Sequence, residues 1–454
     1  MRPVFSFLAF LACLDSPPCR SAPARLLCPI PCGDPRSQPR RLTQMADRVT
    51  VIGWDGSPLT DAARSAVGAA TLVAGAAHHL ALPGVPPGAE RIRLGSVDLA
   101  ARRIAQHRGS AVVFADGDPG FFGVVRALRV PEHGLEVEVV PAVSAVAAAF
   151  ARAGMPWDDA QVVSAHSRDL RRAVNVCRAH PKVAVLTSPG AGPAELALLL
   201  GPVHRTFVIC EALGTEQEQT TVLTSDKVAD HTWRDPNVVI VIGGSAPVTA
   251  PTGAQGGGWI AGRDPGYPPA IRGWALPGSA YGATTDRGEG EATWLRAAQL
   301  ARLGPRVGDL VWDIGAGSGA AGIEAARFGA AVIAVDQDAD TCGRIAAVAR
   351  RFQVQLQVVH GRAPQVLEDL PEPDVVRIGG GGAAVVTACA ARRPERIVTH
   401  AATRDQAEAV SRALSDGGYG VECVMMQAME IDARAWSERD RAVAFLLCGH
   451  RPHP

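Results

Sequence analysis

The stretch LVWDIGAGSGAAGIEAARFGAAVIAVDQD, beginning at Leu310, has the residue types and spacing of a nucleoside-binding turn. Gly315, Gly317 and Gly319 follow an apolar run that reads as a buried strand, and a helix is expected directly after them. Glycines there let the backbone turn tightly and approach a ligand, while the helix start offers free amide donors. Asp336 closes the next apolar run, 17 residues beyond Gly319, where a carboxylate can accept both hydroxyls of a ribose. With Ala320 in the last place the same glycines also satisfy the dinucleotide pattern, so spacing alone leaves a nicotinamide cofactor open.

Three weaker signals carry further chemistry. In VVFADGDPGFFGVV, Gly117, Asp118, Pro119 and Gly120 form a turn right after a strand, a common loop sequence taken alone. VVSAHSR groups Ser164, His166 and Arg168, although a lone loop histidine more often serves a structural hydrogen bond. The tetraglycine over 379–382 suits either a flexible turn or a close backbone approach to substrate. The cysteines form no CxxC pair, so no metal is expected, and no residue stands out as a catalytic acid or base.

The elements that must hold these loops are α/β. From 45 to about 245, short Val/Ile-rich runs alternate with Ala-rich, Arg-dotted segments of helical length. Strands are expected over 49–52, 111–114, 135–140, 183–187, 206–210 and 238–242. A Gly/Pro-rich linker over 246–280 separates this half from a second series. There a helix over 292–303 leads to strands over 310–314, 331–335, 356–360, 375–378, 396–399, 420–426 and 442–448, enough for one doubly wound domain over 281–454.

Bulk properties narrow the function. A chain of 454 residues implies more than one domain, and 47% hydrophobic with 20% charged residues excludes disorder as the bulk state. Forty-five basic against 45 acidic residues leave no general attraction to nucleic acid or an anionic membrane, so a small-molecule substrate is favoured. No apolar run of 18 residues occurs, and the scattered cysteines fit a reducing cytoplasm. Residues 1–44 read as an unstructured leader or as the product of a start assigned too early, with Met45 opening the first strand.

Wider motifs carry a resemblance. VIGWDGSPLT, ADGDPGFFG, VEVVPAVSAVAAAFARAGMPWDDAQVVSAHSR, VAVLTSPGAGPAELALLL and ICEALGTEQEQ, in that order, resemble the tetrapyrrole methylase family over 49–243, specifically its precorrin-6Y branch. The family's opening Gly-x-Gly-x-Gly is replaced here by Gly53-Trp54-Asp55-Gly56. The resemblance implies a two-lobed α/β domain holding S-adenosylmethionine between its lobes. Gly117, Asp118, Pro119, Pro141 and Ser144 would lie on the cofactor side, and Ser164, His166 and Arg168 on the substrate side.

In the second half, VGDLVWDIGAGSG resembles S-adenosylmethionine-dependent methyltransferases more closely than dehydrogenases, which places Asp313 at the methionine end of the cofactor or as a helix cap. HGRAPQVLEDLPEPDVVRIGGGG resembles the decarboxylating methyltransferases of the cobalamin pathway, implying cofactor contacts at Gly361 and Ala363 and substrate contacts at Gly379 and Gly380. Arg362 replaces that family's Asp, Arg377 replaces an apolar residue, and Glu291 and Ala292 replace a Thr-Lys pair upstream of Arg296. The tandem resembles the fused, decarboxylating precorrin-6Y methyltransferase family. What this implies is two methyl transfers to one macrocycle, at carbons 5 and 15, with loss of carbon dioxide from the ring-C acetate to give precorrin-8X. Arg168 and Arg296 would meet substrate carboxylates, and a cytoplasmic homo-oligomer is expected. Two alternatives stand: a methyltransferase acting on another small molecule, or a catalytically degenerate cofactor-binding protein.

Overall fold

The computed structural model describes residues 48–165, 169–243, 274–282 and 293–452. The expected leader over 1–44 lies outside the described residues. So do His166, Arg168, Glu291, Ala292 and most of the expected linker.

The first sheet contains β1 (Arg48–Trp54), β2 (Leu72–Gly75), β3 (Glu90–Arg93), β4 (Ala111–Asp116) and β5 (Glu136–Val140), in the order β3-β2-β4-β1-β5. All its pairings are parallel, and Val/Ile-rich strands allow both faces to be covered. Val49, Val51 and Val113 pack on one face, and Ile52, Val73 and Phe114 on the other. Because β1 lies between β4 and β5, the loops leaving these three strands emerge side by side.

A second, mixed sheet follows, with β6 (Gln161–Ser164), β7 (Lys182–Leu186), β8 (Thr206–Glu211), β9 (Gln219–Thr224) and β10 (Asn237–Ile242) in the order β6-β7-β10-β8-β9. The two sheets are the expected two lobes. Where lobe meets lobe, Gly56 comes so close to Gly214 that an added Cβ would lie 2.0 Å from the Gly214 carbonyl oxygen.

The third sheet has seven strands: β11 (Leu310–Ile314), β12 (Ala331–Asp336), β13 (Gln357–His360), β14 (Val375–Ile378), β15 (Arg396–Ala401), β16 (Gly420–Asp432) and β17 (Ser437–His450). Their order is β13-β12-β11-β14-β15-β17-β16, with β17 antiparallel to both neighbours. Every residue of β11 and β14 is buried, as central parallel strands require. Chain order reverses between β11 and β14, the switch point at which open α/β sheets bind ligands.

Strands β2, β3, β6 and β9 go beyond those expected from sequence. The first three are only four residues long, and β9 is a largely exposed edge strand in which Val222 and Leu223 stand among Gln and Thr, so none offers a long apolar run. The end of the expected linker is structured. Trp274 stacks on Phe328 with ring centroids 4.0 Å apart, and Leu276 and Tyr281 enter the C-terminal core.

The two halves are joined by helix Leu170–Ala179. Its Ala179 belongs to the same core as Leu310 and Trp312, and the Asn175 amide donates to the Gly308 carbonyl at 3.0 Å in a buried bond. Beside it, Arg205 donates to Gln355 at 2.8 Å, and Gln355 donates to the Gly243 carbonyl at 3.0 Å.

Candidate active site

At the end of β11 the backbone turns so that the amides of Gly315 and Ala316 both donate to the Val335 carbonyl, at 2.9 and 3.1 Å. Gly319 starts helix Ala320–Arg327 with a left-handed φ of +73°, and an added Cβ would lie 2.8 Å from Ile345. That glycine brings the helix against its neighbour, whereas Gly315 lines the cleft. Asp336, at the tip of β12, accepts from the amides of Gly317 (2.9 Å) and Asp338 (3.0 Å). Both carboxylate oxygens are thereby aimed, and each keeps a second lone-pair direction.

These groups border a cleft of about 960 Å³ at the switch point, lined also by Gly361, Arg362, Ala363, Gly380 and Val385. Gly315, Asp336, Gly361, Ala363 and Gly380, all expected from sequence, converge there. The sequence reading missed Gln337 and Val385, which line the same cleft. Gly379 is packed against the glycine turn instead: its amide donates to the Ile314 carbonyl at 2.7 Å, and an added Cβ would fall 2.4 Å from the Gly315 oxygen.

One expected contact, that of Arg296, requires correction, and of the two roles expected for Asp313 the structure shows the one that anchors the helix. Asp313 is fully buried behind the turn, accepting from the Gly322 amide at 2.9 Å and pairing with Arg377 at 2.9 Å. It therefore anchors the helix and balances a buried charge. Arg377 also reaches Gln299 (3.0 Å) and the Gly315 carbonyl (3.3 Å), and Gln299 lies 3.1 Å from His400. Arg296, expected to meet substrate carboxylates, has 1% of its surface exposed. Its guanidinium bonds Glu324 and the Leu276 carbonyl, and Glu324 in turn accepts from the Tyr281 hydroxyl and the Ala275 amide. Burial, reinforced by Glu324, pushes the Tyr281 phenol well above its usual range.

In the N-terminal half, the turns after β1, β4 and β5 meet. The Gly117 amide donates to the Trp54 carbonyl at 2.7 Å. An added Cβ on Gly53 would lie 2.5 Å from the Gly117 oxygen and 2.8 Å from the Ala142 nitrogen, so only glycine fits. Asp118 caps its own turn by accepting from the Gly120 amide at 2.8 Å. Pro141 follows β5, and Ser144 caps helix Ala145–Ala153 by accepting from Ala147 at 3.1 Å. Asp55 departs from the family's glycine yet ties the first turn to the third, accepting from the amides of Ser57 (3.0 Å) and Val143 (3.2 Å). Burial raises its pKa, but these donors outweigh that and hold it below the usual carboxylate value.

Ser164 ends β6 in the second lobe, half-buried, while its partners His166 and Arg168 lie outside the described residues. The sequence reading also passed over His78, His79 and Asp116, which cluster beside the Gly117 turn within 3.1 Å of one another. The doubled histidine after the short, unexpected β2 was the available signal.

Comparison with known proteins agrees with this two-part geometry. Residues 26–229 match the family described as tetrapyrrole (corrin/porphyrin) methylases, and residues 288–444 match the precorrin methyltransferase domain. A Sinorhizobium protein named precorrin-6Y C(5,15)-methyltransferase [decarboxylating] is 34% identical over 367 residues, covering 78% of this chain and 84% of its own. The chain belongs to the decarboxylating precorrin-6Y C(5,15)-methyltransferase family. Relatives of this family's separate activities also align. A Salmonella typhimurium cobalt-precorrin-7 C(5)-methyltransferase is 36% identical over 43% of this chain and 98% of its own. A Pyrobaculum calidifontis protein named "Probable cobalt-precorrin-6B C(15)-methyltransferase (decarboxylating)" is 33% identical over 28% of this chain and 70% of its own. Among the described residues no helix is long and apolar enough to cross a membrane.

Proposed function

We propose that this chain is a bifunctional, S-adenosylmethionine-dependent enzyme of cobalamin biosynthesis. It methylates precorrin-6Y at carbons 5 and 15 and removes carbon dioxide from the ring-C acetate, giving precorrin-8X. The observation that carries this reading is the extent of the Sinorhizobium match: 78% of the chain cannot fit within either half, so both halves align with a protein whose name gives both positions.

In the C-terminal half the residues fit an adenosyl cofactor. The cleft has the volume of a small-molecule site, Asp336 is aimed from β12 to accept ribose hydroxyls, and Gly361 and Ala363 supply an adenine-side wall. S-adenosylmethionine, when bound, supplies an electrophilic methyl group. Gly380, where an added Cβ would meet open space, leaves room for the macrocycle to approach, and Arg362 on the cleft wall offers a cation to its carboxylates. Alignment of an electron-rich carbon with the methyl supplies much of the rate. Loss of carbon dioxide leaves electron density that the conjugated ring takes up.

Carbon-15 methylation and decarboxylation fall to this half. Carbon-5 methylation falls to the N-terminal half, where Gly117, Asp118, Pro119, Pro141 and Ser144 form the cofactor side and Ser164, His166 and Arg168 the substrate side. The described cysteines are all free, which fits a reducing, cytoplasmic setting. A second reading, a protein with one degenerate half, draws on the Asp313–Arg377 pair and on Asp55 in the first turn. Incubating the chain with S-adenosylmethionine and precorrin-6Y and measuring product mass separates them: two methyl groups gained with carbon dioxide lost supports the bifunctional enzyme, a single methyl supports the second reading, and no change refutes both.

A further inference from the structure

We propose that His78 is the proton acceptor of the N-terminal methyl transfer, held in place by Asp116 and His79. The inference rests on the carbon-5 assignment above. Helix Ala77–Leu80 follows β2, and Asp116 ends the neighbouring β4, one residue before Gly117. One carboxylate oxygen of Asp116 lies 2.8 Å from His78 Nε2 and 3.1 Å from His79 Nε2.

Hydrogen bonding assigns the tautomers. The Ala76 amide donates to His79 Nδ1 at 3.2 Å, so that nitrogen carries a lone pair and the His79 proton sits on Nε2, facing Asp116. His78 Nε2 lies 2.8 Å from the same oxygen, where a lone pair would face the carboxylate, so it too is a donor, and the 3.1 Å approach of the two Nε2 atoms is that of two donors converging on one oxygen. The His78 proton is therefore on Nε2 and its Nδ1 lone pair is free, as when a carboxylate orients a catalytic imidazole. Burial raises the Asp116 pKa, but its bonds to His79 and His78 outweigh that and keep it ionised. Trp54 packs on both imidazoles, at 5.4 and 5.5 Å between centroids, and Phe114 stacks on His79. The His79 side chain is 1% exposed while that of His78 is 32% exposed, so the inner residue positions and the outer one can reach substrate.

The chemistry calls for such a group. As the ring carbon takes the methyl, its π electrons form the new C–C bond and the C–S pair leaves with sulfur, giving the macrocycle one positive charge. That charge is discharged when the hydrogen on the same carbon leaves as a proton to His78 Nδ1 and the C–H pair returns to the ring. The imidazolium, opposite ionised Asp116, then passes its proton to water. The same three residues could be read as a metal site. Metal on His79 Nε2 would put a proton on Nδ1, against the Ala76 amide hydrogen.

The test uses the full chain with S-adenosylmethionine and precorrin-6Y. In His78→Ala, the carbon-15 methylation and carbon dioxide loss should proceed at the wild-type rate while the carbon-5 methylation slows by about 10²-fold or more. Added imidazole should restore part of it, and a substrate deuterated at carbon 5 should show a larger isotope effect than with wild type. Asp116→Asn should slow the same step, with cofactor affinity unchanged. Two methylations at the wild-type rate in His78→Ala would overturn the proposal, as would a loss that imidazole and deuteration leave unmoved, or a wild-type activity lost to a chelator and restored by zinc. If the wild-type chain itself adds fewer than two methyl groups, the functional reading fails first and this inference with it.

Discussion

Arg377→Leu puts an apolar residue of the kind usual in the family behind the C-terminal glycine turn, and its cost can be worked from the structure. The Arg377 and Asp313 side chains are 5% and 1% exposed, and beside their 2.9 Å bond the guanidinium also bonds Gln299 and the Gly315 carbonyl. Leucine fills part of the volume but leaves the Asp313 carboxylate buried without the Arg377 guanidinium. Breaking a buried pair in this way costs about 3–5 kcal/mol. For a body of 150–250 residues, 1 kcal/mol moves the midpoint by about 2–4 °C, so the C-terminal transition should fall by about 6–20 °C. Calorimetry of the full chain measures it. Adding Asp313→Asn removes the stranded charge, so the double variant should recover most of the loss and the cycle should show strong coupling. A single variant within about 2 °C of wild type, or strictly additive effects, would refute the view that this pair is the anchor of the turn.

Asp336→Ala removes the acceptor for the Gly317 and Asp338 amides together with the proposed ribose contacts. A charge-assisted pair of this kind is worth about 1.5–3 kcal/mol, so in a calorimetric titration the proposed C-terminal S-adenosylmethionine site should weaken by about 10- to 150-fold while the proposed N-terminal one is unchanged. Burial pushes the thiols of Cys177 and Cys389 up to about 12, whereas Cys423 is exposed. Alkylation at pH 8 with mass mapping should therefore label Cys423 and spare the other two. Since both folded-state values lie above the unfolded one, the stability linked to them is fully present below pH 9 and should be lost as pH rises toward 12.

The glycine turn and the strand-tip carboxylate were legible because backbone geometry dictates residue type there: a tight turn selects glycine, and a strand tip beside unpaired amides selects an acceptor such as Asp336. The central C-terminal strands β11, β12 and β14 were legible for the related reason that strands buried on both faces are largely apolar. Arg296 was misplaced, and Asp313 was left between two roles, because a charged residue in an otherwise apolar run looks functional whether it faces a cleft or a buried partner, and the partners, Glu324 and Arg377, lie 28 and 64 residues away. Only packing decides between these roles. His78 and His79 went unread for the opposite reason. Their meaning depends on Asp116, 38 residues beyond His78, reached through a pairing of β2 with β4 that a four-residue strand gave no ground to expect.

The join between the halves is itself tied to the C-terminal site. Asp374 precedes β14 and accepts from Arg171 at 2.6 Å through one oxygen, and from the Leu310 amide (2.7 Å) and Asn175 (3.3 Å) through the other. Leu310 begins β11, the strand that runs into the glycine turn. The Arg171 side chain is 50% exposed, so its ion pair contributes little. The buried Asn175 bond to Gly308 and the packing of Ala179 among C-terminal core residues carry more, because a polar group left unpaired there would bear its full desolvation cost. Helix Leu170–Ala179 thus registers one half against the base of the other's central strand. A simple tether would require no such contact. These contacts hold the two halves in a fixed relation, which suits the proposed passage of one macrocycle between a site in each.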